Sequence, residues 1–357
     1  LMNAITPYAF LVASVLIATL TTLALALSLS YSYTSINNLS RSSDYAVCQH
    51  NGLSKAISPD ALLTMIVAPK SVLRETENTA SIHHTRFVFQ SWKELKNIEF
   101  IVVSHDCATL RLAKECGLAT FIPSSGNDAE DFTYRYMFKM IDTIIPSSSK
   151  VVGFSNGDII YDSTLLESVK AMTQYASDKG LSNWLFAGSR TNVDLPDILL
   201  SSESPFRHRY KKMLQIASRS GLLFQSDAQD FFIFNRGIDI AWDCIPPFLV
   251  GGVYFDNWFS GLSSHHPNII AIDFSNVINA YHVNHGRHRS LSRVNAASAI
   301  NLIIGHDAKN FISNGYLNEM EWVAKKNATS GYEILRRHRL QTSSAYDAFI
   351  SCQRQGG

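Results

Sequence analysis

The sequence has almost no net charge: 31 Lys and Arg stand against 30 Asp and Glu, a formal +1 over 357 residues. No global field is therefore available to hold a polyanion, and no nucleic acid partner is expected. Cysteine is scarce. The five present, Cys48, Cys107, Cys116, Cys244 and Cys352, match no zinc spacing, and their odd number leaves at least one thiol unpaired within the chain. Cys48 and Cys352 flank the globular part and could be bridged; two unrelated free thiols are the alternative. Charge is missing altogether from Tyr8 to Leu29. About 20 apolar residues cross a bilayer core, whereas a signal peptide has a shorter apolar region and a basic start. Residues 8–29 are therefore expected to be an uncleaved anchor, with cleavage near Ala24, Ala26 and Ser28 as the alternative. No Lys or Arg precedes the run, so the positive-inside rule does not orient it. Arg41 and Lys55 weigh against a lumenal C-terminal part. The glycosylation tripeptides at Asn38 and Asn327 weigh for it. The expectation is a single-pass membrane protein whose C-terminal domain faces the Golgi or ER lumen.

What remains divides into a short tail (1–7), the anchor (8–29), a Ser- and Asn-rich stem (30–60), one catalytic domain (61–330) and a C-terminal tail (331–357). Within the domain, strand and helix patterns alternate. Strands are predicted at Leu62–Ala68, Ile98–Val103, Leu118–Ile122, from Val151, at Trp184–Gly188, Asp230–Phe234, Ile269–Phe274 and Val277–His282. Helices are predicted at Thr85–Leu95, Leu110–Cys116, Ala129–Ile145, from a Thr164/Glu167 capping box to Ala176, in the basic piece from Phe206, after Tyr254 and at Leu317–Lys326. This rhythm means βαβ units and a mostly parallel sheet flanked by helices.

The stretch VVGFSNGDIIYD, residues 151–162, is the centre of this pattern. A buried strand breaks into a polar turn with one carboxylate, Asp158. Ligands of open α/β sheets sit outside the carboxyl ends of the strands. A carboxylate there, beside a glycine that lets backbone come close, suits a divalent cation on a phosphate. The plain alternative is an Asn-Gly turn with a solvated Asp158.

Strand-end motifs follow in a characteristic order: APKS, QSW, SHD, NGDI, SRTNVD, QDFFIF, IPPFLVGG, FDNW and AIDFSNVINAYHVNH. In this order they resemble the GT-A-type nucleotide-diphospho-sugar transferases, glycosyltransferases with a Rossmann-like mixed sheet, and most closely a eukaryotic, membrane-anchored branch. The resemblance covers residues 61–330. It implies a sugar moved from a nucleotide-sugar donor, most simply a UDP-sugar, to a glycan, protein or lipid hydroxyl, with Mn²⁺ or Mg²⁺ on the diphosphate. The family's metal motif falls on Asn156, Gly157 and Asp158. Asn156 replaces the first carboxylate, leaving Asp158 as the firm ligand and a late histidine, His282 or His285, as its helper. Asp256 fits the position of the general base, which implies inversion. The family's Gly-Arg is Gly251-Gly252 here, which removes one possible phosphate or acceptor contact.

Each role has a plainer alternative. Asp256 could simply cap a helix. The spacing of His282, His285 and His288 on an extended segment does not suit zinc. Asp106 ends a strand where this fold meets the base or ribose, but an unpartnered loop carboxylate looks the same. Arg190 offers a forked donor for phosphate, or a surface ion pair with Asp194 or Asp197. Lys70 approaches the nucleotide or stays in solvent. Asp230 and Trp258 are candidates for acceptor contacts, the first alternatively closing a turn and the second a core side chain. Arg207–Lys212 is either a solvated helix face or a lid over the diphosphate. Two rival functions remain: a degenerate binding protein on the same fold, and a nucleotidyltransferase. The latter would carry a Gly-rich basic loop after the first strand, and VAPKSVLRETEN has no glycine.

Overall fold

The computed structural model describes residues 52–70, 79–123, 133–284, 291–306, 315–327, 331–337 and 351–353. The expected anchor, Asn38, Cys48 and His285 lie outside these residues. Among the described residues no helix is long and apolar enough to cross a membrane. The chain divides into two compact units, Leu1–Gln49 and His50–Gly357, and every described residue belongs to the second.

The alternating apolar runs form the strands β1 (Gly52–Leu53), β2 (Leu63–Ala68), β3 (Ile98–Val103), β4 (Ala119–Ile122), β5 (Val151–Asn156), β6 (Ile159–Tyr161), β7 (Trp184–Gly188), β8 (Thr191–Val193), β9 (Leu222–Leu223), β10 (Phe231–Asn235), β11 (Ile270–Asp273), β12 (Ala280–Val283), β13 (Trp322–Asn327) and β14 (Gly331–Arg336). The helices between them are α1 (Thr79–Lys93), α2 (Cys107–Glu115), α3 (Tyr134–Ile144), α4 (Ser163–Lys179), α5 (Asp197–Ser201), α6 (Phe206–Ser220), α7 (Phe255–His265) and α8 (Leu291–His306).

Ten strands make one sheet in the order β1-β4-β3-β2-β5-β10-β7-β11-β13-β14. Because β10 runs against both its neighbours, β5 and β7 point the same way, and with them β2, β3, β4, β11 and β13. The sheet is thus mixed but mostly parallel. Parallel strands covered on both faces must be apolar on both, and successive residues do enter opposite cores. Met65, Phe100, Phe186 and Ile233 join α1, α2 and α4 on one face. Ile66, Ile101, Leu185 and Phe234 join α3 and α7 on the other. A second sheet, β6-β12-β8-β9, covers part of the first face.

Several local expectations are corrected. Residues 317–326 are not a helix: only Leu317–Glu319 makes a 3₁₀ turn, and β13 is held as a strand by β11 on one side and β14 on the other. Ladder pairing overrides the local pattern there. The cap of α4 is Asp162, whose carboxylate accepts the Thr164 N–H at 2.9 Å, rather than Thr164 itself. The folded unit also reaches past residues 61–330 at both ends, through β1 and β14. Finally, Cys352 pairs with Cys244, not with Cys48. Cys107 is also disulfide-bonded, and Cys116 is free, its thiol pushed up to about 11 by burial.

The Cys244–Cys352 bond joins residues 108 apart and is backed by Gln353, which donates to Asp239 Oδ1 at 2.9 Å. Closing so long a loop restricts the unfolded chain by about 2–4 kcal/mol. Cys352→Ser is therefore expected to lower the thermal midpoint by several degrees, and an unchanged melt would remove this bond from the stability of the fold.

Candidate functional site

The carboxyl ends of the parallel strands deliver their polar turns to one edge of the sheet. Ala68 leads to Pro69-Lys70, Val103 to Asp106, Asn156 to Gly157-Asp158, and Gly188 to Arg190. Asp230 arrives at the same edge because β10 runs the other way and starts there.

The Asn156-Gly157-Asp158 turn is where the chain leaves the large sheet and enters the small one. Gly157 is obligatory for this: a Cβ would lie 2.2 Å from Pro69 Cα and 2.6 Å from Pro69 N. Contact between these two backbones brings Lys70 Nζ to 4.0 Å from Asp158 Oδ2. On the other side β6 pairs antiparallel with β12, with His282 opposite Ile159. That register places His282 Nε2 3.5 Å from Asp158 Oδ2. Burial alone would raise the Asp158 carboxyl. The hydrogen bond and charge of His282, helped by Lys70 and His84, overcome it and hold the group well below the usual carboxylate range.

Asn156 turns away from this pair. Its carboxamide donates to Asp230 Oδ1 at 3.0 Å. Arg190 Nη1 donates to the same oxygen at 2.6 Å, and the Arg190 main-chain N–H donates to Oδ2 at 3.0 Å. The guanidinium also reaches Asn192 Oδ1 at 3.0 Å and lies 4.3 Å over the Phe224 ring. Arg190 is therefore paired with Asp230, not with Asp194 or Asp197. Asp230 is only 1% exposed, and burial keeps its carboxyl above the usual range despite Arg190. It ties β5, β7 and β10 together, and its burial leaves almost no surface open to an acceptor sugar. The charge of Asp158 raises it further, and its own charge raises Asp256.

Asp256 sits in the first turn of α7, two residues past the N-cap Tyr254, so it is not itself the cap. Its carboxylate accepts the Asn257 N–H at 3.1 Å and the Gln229 N–H. Burial outweighs these bonds and pushes the carboxyl up to about 7. The preceding Gly251-Gly252 turn has a steric reason: a Cβ on Gly252 would meet Asn301 Nδ2 at 2.5 Å and the Ala297 carbonyl oxygen at 2.8 Å, so α8 fills the space an arginine would need. Tyr134, opening α3, stacks on Phe255 at 3.5 Å between ring centroids, and burial together with the Asp256 charge raises its phenol well above the usual range.

Trp258, expected to face an acceptor, is 2% exposed and packs on Phe248 at 5.5 Å between centroids. It points from α7 into the core. Asp106 caps α2, accepting from the Ala108 N–H at 3.0 Å and the Thr109 hydroxyl at 2.6 Å, so both its oxygens are used. Asn327 closes β13. The basic stretch is no lid: Arg209 and Met213 are buried, Phe206 packs on Phe87, and the Tyr210 hydroxyl donates to the Tyr161 carbonyl at 2.5 Å. His84, Tyr134 and Gln229 were not expected at the site. His84 and Tyr134 come from a helix face and a helix start with no motif of their own, and Gln229 heads the QDFFIF motif, contributing its main-chain N–H.

Among the described residues no group of three His, Cys, Asp or Glu could hold a metal alone. Asp158 and His282 make an ionised carboxylate and an imidazole side by side. That donor set suits an ion whose remaining ligands come from phosphate and water, and the imidazole tilts it toward Mn²⁺.

No model of a known protein family matches the chain, and no curated protein matches it. Among solved structures it is similar to a mycobacterial protein, at 13% identity and a TM-score of 0.36 over 81% of this chain and 89% of that one. A second is glucosyl-3-phosphoglycerate synthase from Mycobacterium tuberculosis, in complex with Mn²⁺, UDP and phosphoglyceric acid, at 12% identity and a TM-score of 0.35 over 83% and 95%. A third is a cytidylyltransferase from Leptospira borgpetersenii, at 14% identity and a TM-score of 0.25 over 44% and 71%. Scores of 0.36, 0.35 and 0.25 are too loose to argue from, and fold and chemistry rest on this chain's own geometry.

The raised Asp256 carboxyl has a consequence for stability. The folded state binds its proton more tightly than the unfolded state, so stability falls as pH rises from about 4 to about 7. Asp256→Asn removes that cost. It is expected to raise the thermal midpoint at pH 8 and leave it nearly unchanged at pH 4; equal effects at both pH values would contradict the burial of this group.

Proposed function

We propose that this chain is a GT-A-type glycosyltransferase, moving a sugar from a nucleotide-diphospho-sugar to an acceptor hydroxyl. The observation that carries the reading is the Asp158–His282 pair, 3.5 Å apart at the carboxyl edge of the sheet, with Lys70 beside it. An ionised carboxylate, an imidazole and an ammonium suit a nucleoside diphosphate better than any uncharged ligand. Asp158 and His282 would hold the divalent cation, which would neutralise the departing diphosphate. Lys70 adds a cation that can swing to a phosphate oxygen, being largely exposed. Arg190 and Asn156 stiffen the floor of the site through Asp230.

Asp256 is assigned as the base. The acceptor oxygen forms its bond to the anomeric carbon while the bond from that carbon to the phosphate oxygen breaks. The electron pair leaves with the nucleoside diphosphate, and the hydroxyl proton passes to the Asp256 carboxylate. A carboxyl poised at about 7 is well matched to that transfer near neutral pH. Displacement of this kind inverts the anomeric centre. The Cys244–Cys352 bond, the bonded Cys107 and the Asn38 and Asn327 tripeptides support an oxidising compartment such as the ER or Golgi lumen, with attachment through residues 8–29.

A screen of UDP-sugars with purified protein and Mn²⁺ tests this reading, scoring both donor hydrolysis and transfer. Turnover is expected only with the cation, with an acid limb near pH 7 that reports Asp256. Asp256→Asn is expected to keep donor binding and lose roughly 10²–10⁴-fold in transfer. Donor binding without transfer to any acceptor would instead favour a binding protein, consistent with the carboxylate lost at Asn156. Absence of both binding and turnover for every sugar nucleotide would remove the assignment.

A further inference from the structure

We propose that the exposed face of α6, together with the Leu222–Leu223 edge strand, docks the folded domain on a bilayer surface that carries anionic lipid headgroups. The face is one stripe. His208, Lys211, Lys212, Gln215 and Arg219 follow the three- and four-residue spacing of a single helix side, and all are exposed. The opposite side, Arg209, Met213 and Ala217, is buried. No Asp or Glu occurs in α6. Arg207, at the edge of the stripe, is taken by Glu94 at 2.9 Å, and the nearest carboxylate in sequence is the exposed Glu203 ahead of the helix. His208, Lys211, Lys212 and Arg219 make no ion pair with a carboxylate among the described residues. The buried side fixes the helix firmly: Arg209 donates to the Ser204 and Leu200 carbonyls at 3.0 and 2.9 Å. The cationic stripe is therefore presented on a rigid element.

At its C-terminal end the stripe runs into apolar surface. Leu222 is 73% exposed and Leu223 51%. They form β9, which ends the small sheet and pairs only with β8 among the described residues. Two exposed leucines on an open sheet edge invite association unless something covers them. Cations beside exposed apolar side chains are the chemistry that an anionic lipid surface recognises: headgroups take the charge and the acyl boundary takes the leucines. The sequence independently expects a bilayer anchor ahead of the folded domain, in the uncharged run at residues 8–29.

The position of this face matters. Leu223 is opposite Thr191 in the ladder, and the Phe224 N–H donates to the Arg190 carbonyl at 2.8 Å. The docking face thus borders the site edge, and an acceptor hydroxyl carried on a lipid would be presented to it. That consequence rests on the transferase reading; the docking face does not.

The test uses the full chain reconstituted in vesicles that carry a trace of photoactivatable phosphatidylserine, with photoactivatable phosphatidylcholine as the neutral control. Crosslinks are mapped by mass spectrometry. Phosphatidylserine is expected to label peptides within residues 206–223, roughly fivefold more than phosphatidylcholine does. Lys211→Glu/Lys212→Glu is expected to lose most of that label, and raised salt should do the same. Leu222→Ser/Leu223→Ser provides a second, uncharged loss, with thermal melts confirming that each variant folds. Labelling confined to residues 8–29, or equal labelling by both lipids, would overturn the proposal. So would concentration-dependent protein–protein crosslinks through 206–223 in detergent without lipid, which would make the partner a second copy of the chain. Donor binding, measured separately by calorimetry, is unaffected by any of these outcomes.

Discussion

The contact on which the site depends is the packing of Gly157 against Pro69. Two strands that are neighbours in the sheet, β2 and β5, end at the same level, and their following turns meet backbone to backbone. Only a residue without a side chain allows that approach. From this contact the chain swings out of the large sheet into β6, and β6 in turn selects the register of β12. Asp158 is caught between the two events, with Lys70 on one side and His282 on the other. A residue added at position 157 would part the turns and separate a carboxylate from both its partners, although none of the three charged groups would have been touched.

Two carboxyls at this edge are driven in opposite directions by their surroundings. Asp158 is half-buried among cations and stays ionised; Asp256 is half-buried beside main-chain N–H groups, and desolvation pushes it up to about 7. Asp230 feels the charge of the first and raises the second, and is itself fixed by Arg190 and Asn156. On the proposed transferase reading, separation of this kind gives the low group the positive charge to hold and the high one the proton to trade near neutrality. The loss of a carboxylate at Asn156 also becomes intelligible. Its amide clamps Asp230, so the position that carries a carboxylate in the resembled family serves here as a strut for the floor.

Much of this was legible in the chain. The alternation of strands and helices predicted the sheet, and the polar residues at strand ends marked Lys70, Asp158 and Arg190 as neighbours, because parallel strands in one sheet must end on one side. Periodicity failed where pairing decides. WVAKKN reads equally well in either conformation, and it is a strand only because β11 and β14 flank it. Placing His282 beside Asp158 required the register of β6 on β12, which no local pattern states. His84 and Tyr134 reach the site from two separate helices and leave no trace in sequence spacing, and Gln229, at the head of QDFFIF, acts through a main-chain N–H that its side chain does not announce. Trp258, read both as an acceptor contact and as a core side chain, belongs to the core because α7 must bury one side.

Calorimetric titration of UDP into the purified protein, with and without Mn²⁺, bears most directly on the Asp158–His282 pair. Binding is expected to require the cation and to weaken at least tenfold in both Asp158→Asn and His282→Ala, with thermal melts showing that the fold is kept. UDP binding that is indifferent to Mn²⁺, or equal in the wild-type protein and both variants, would mean that this carboxylate and imidazole do not form the nucleotide site.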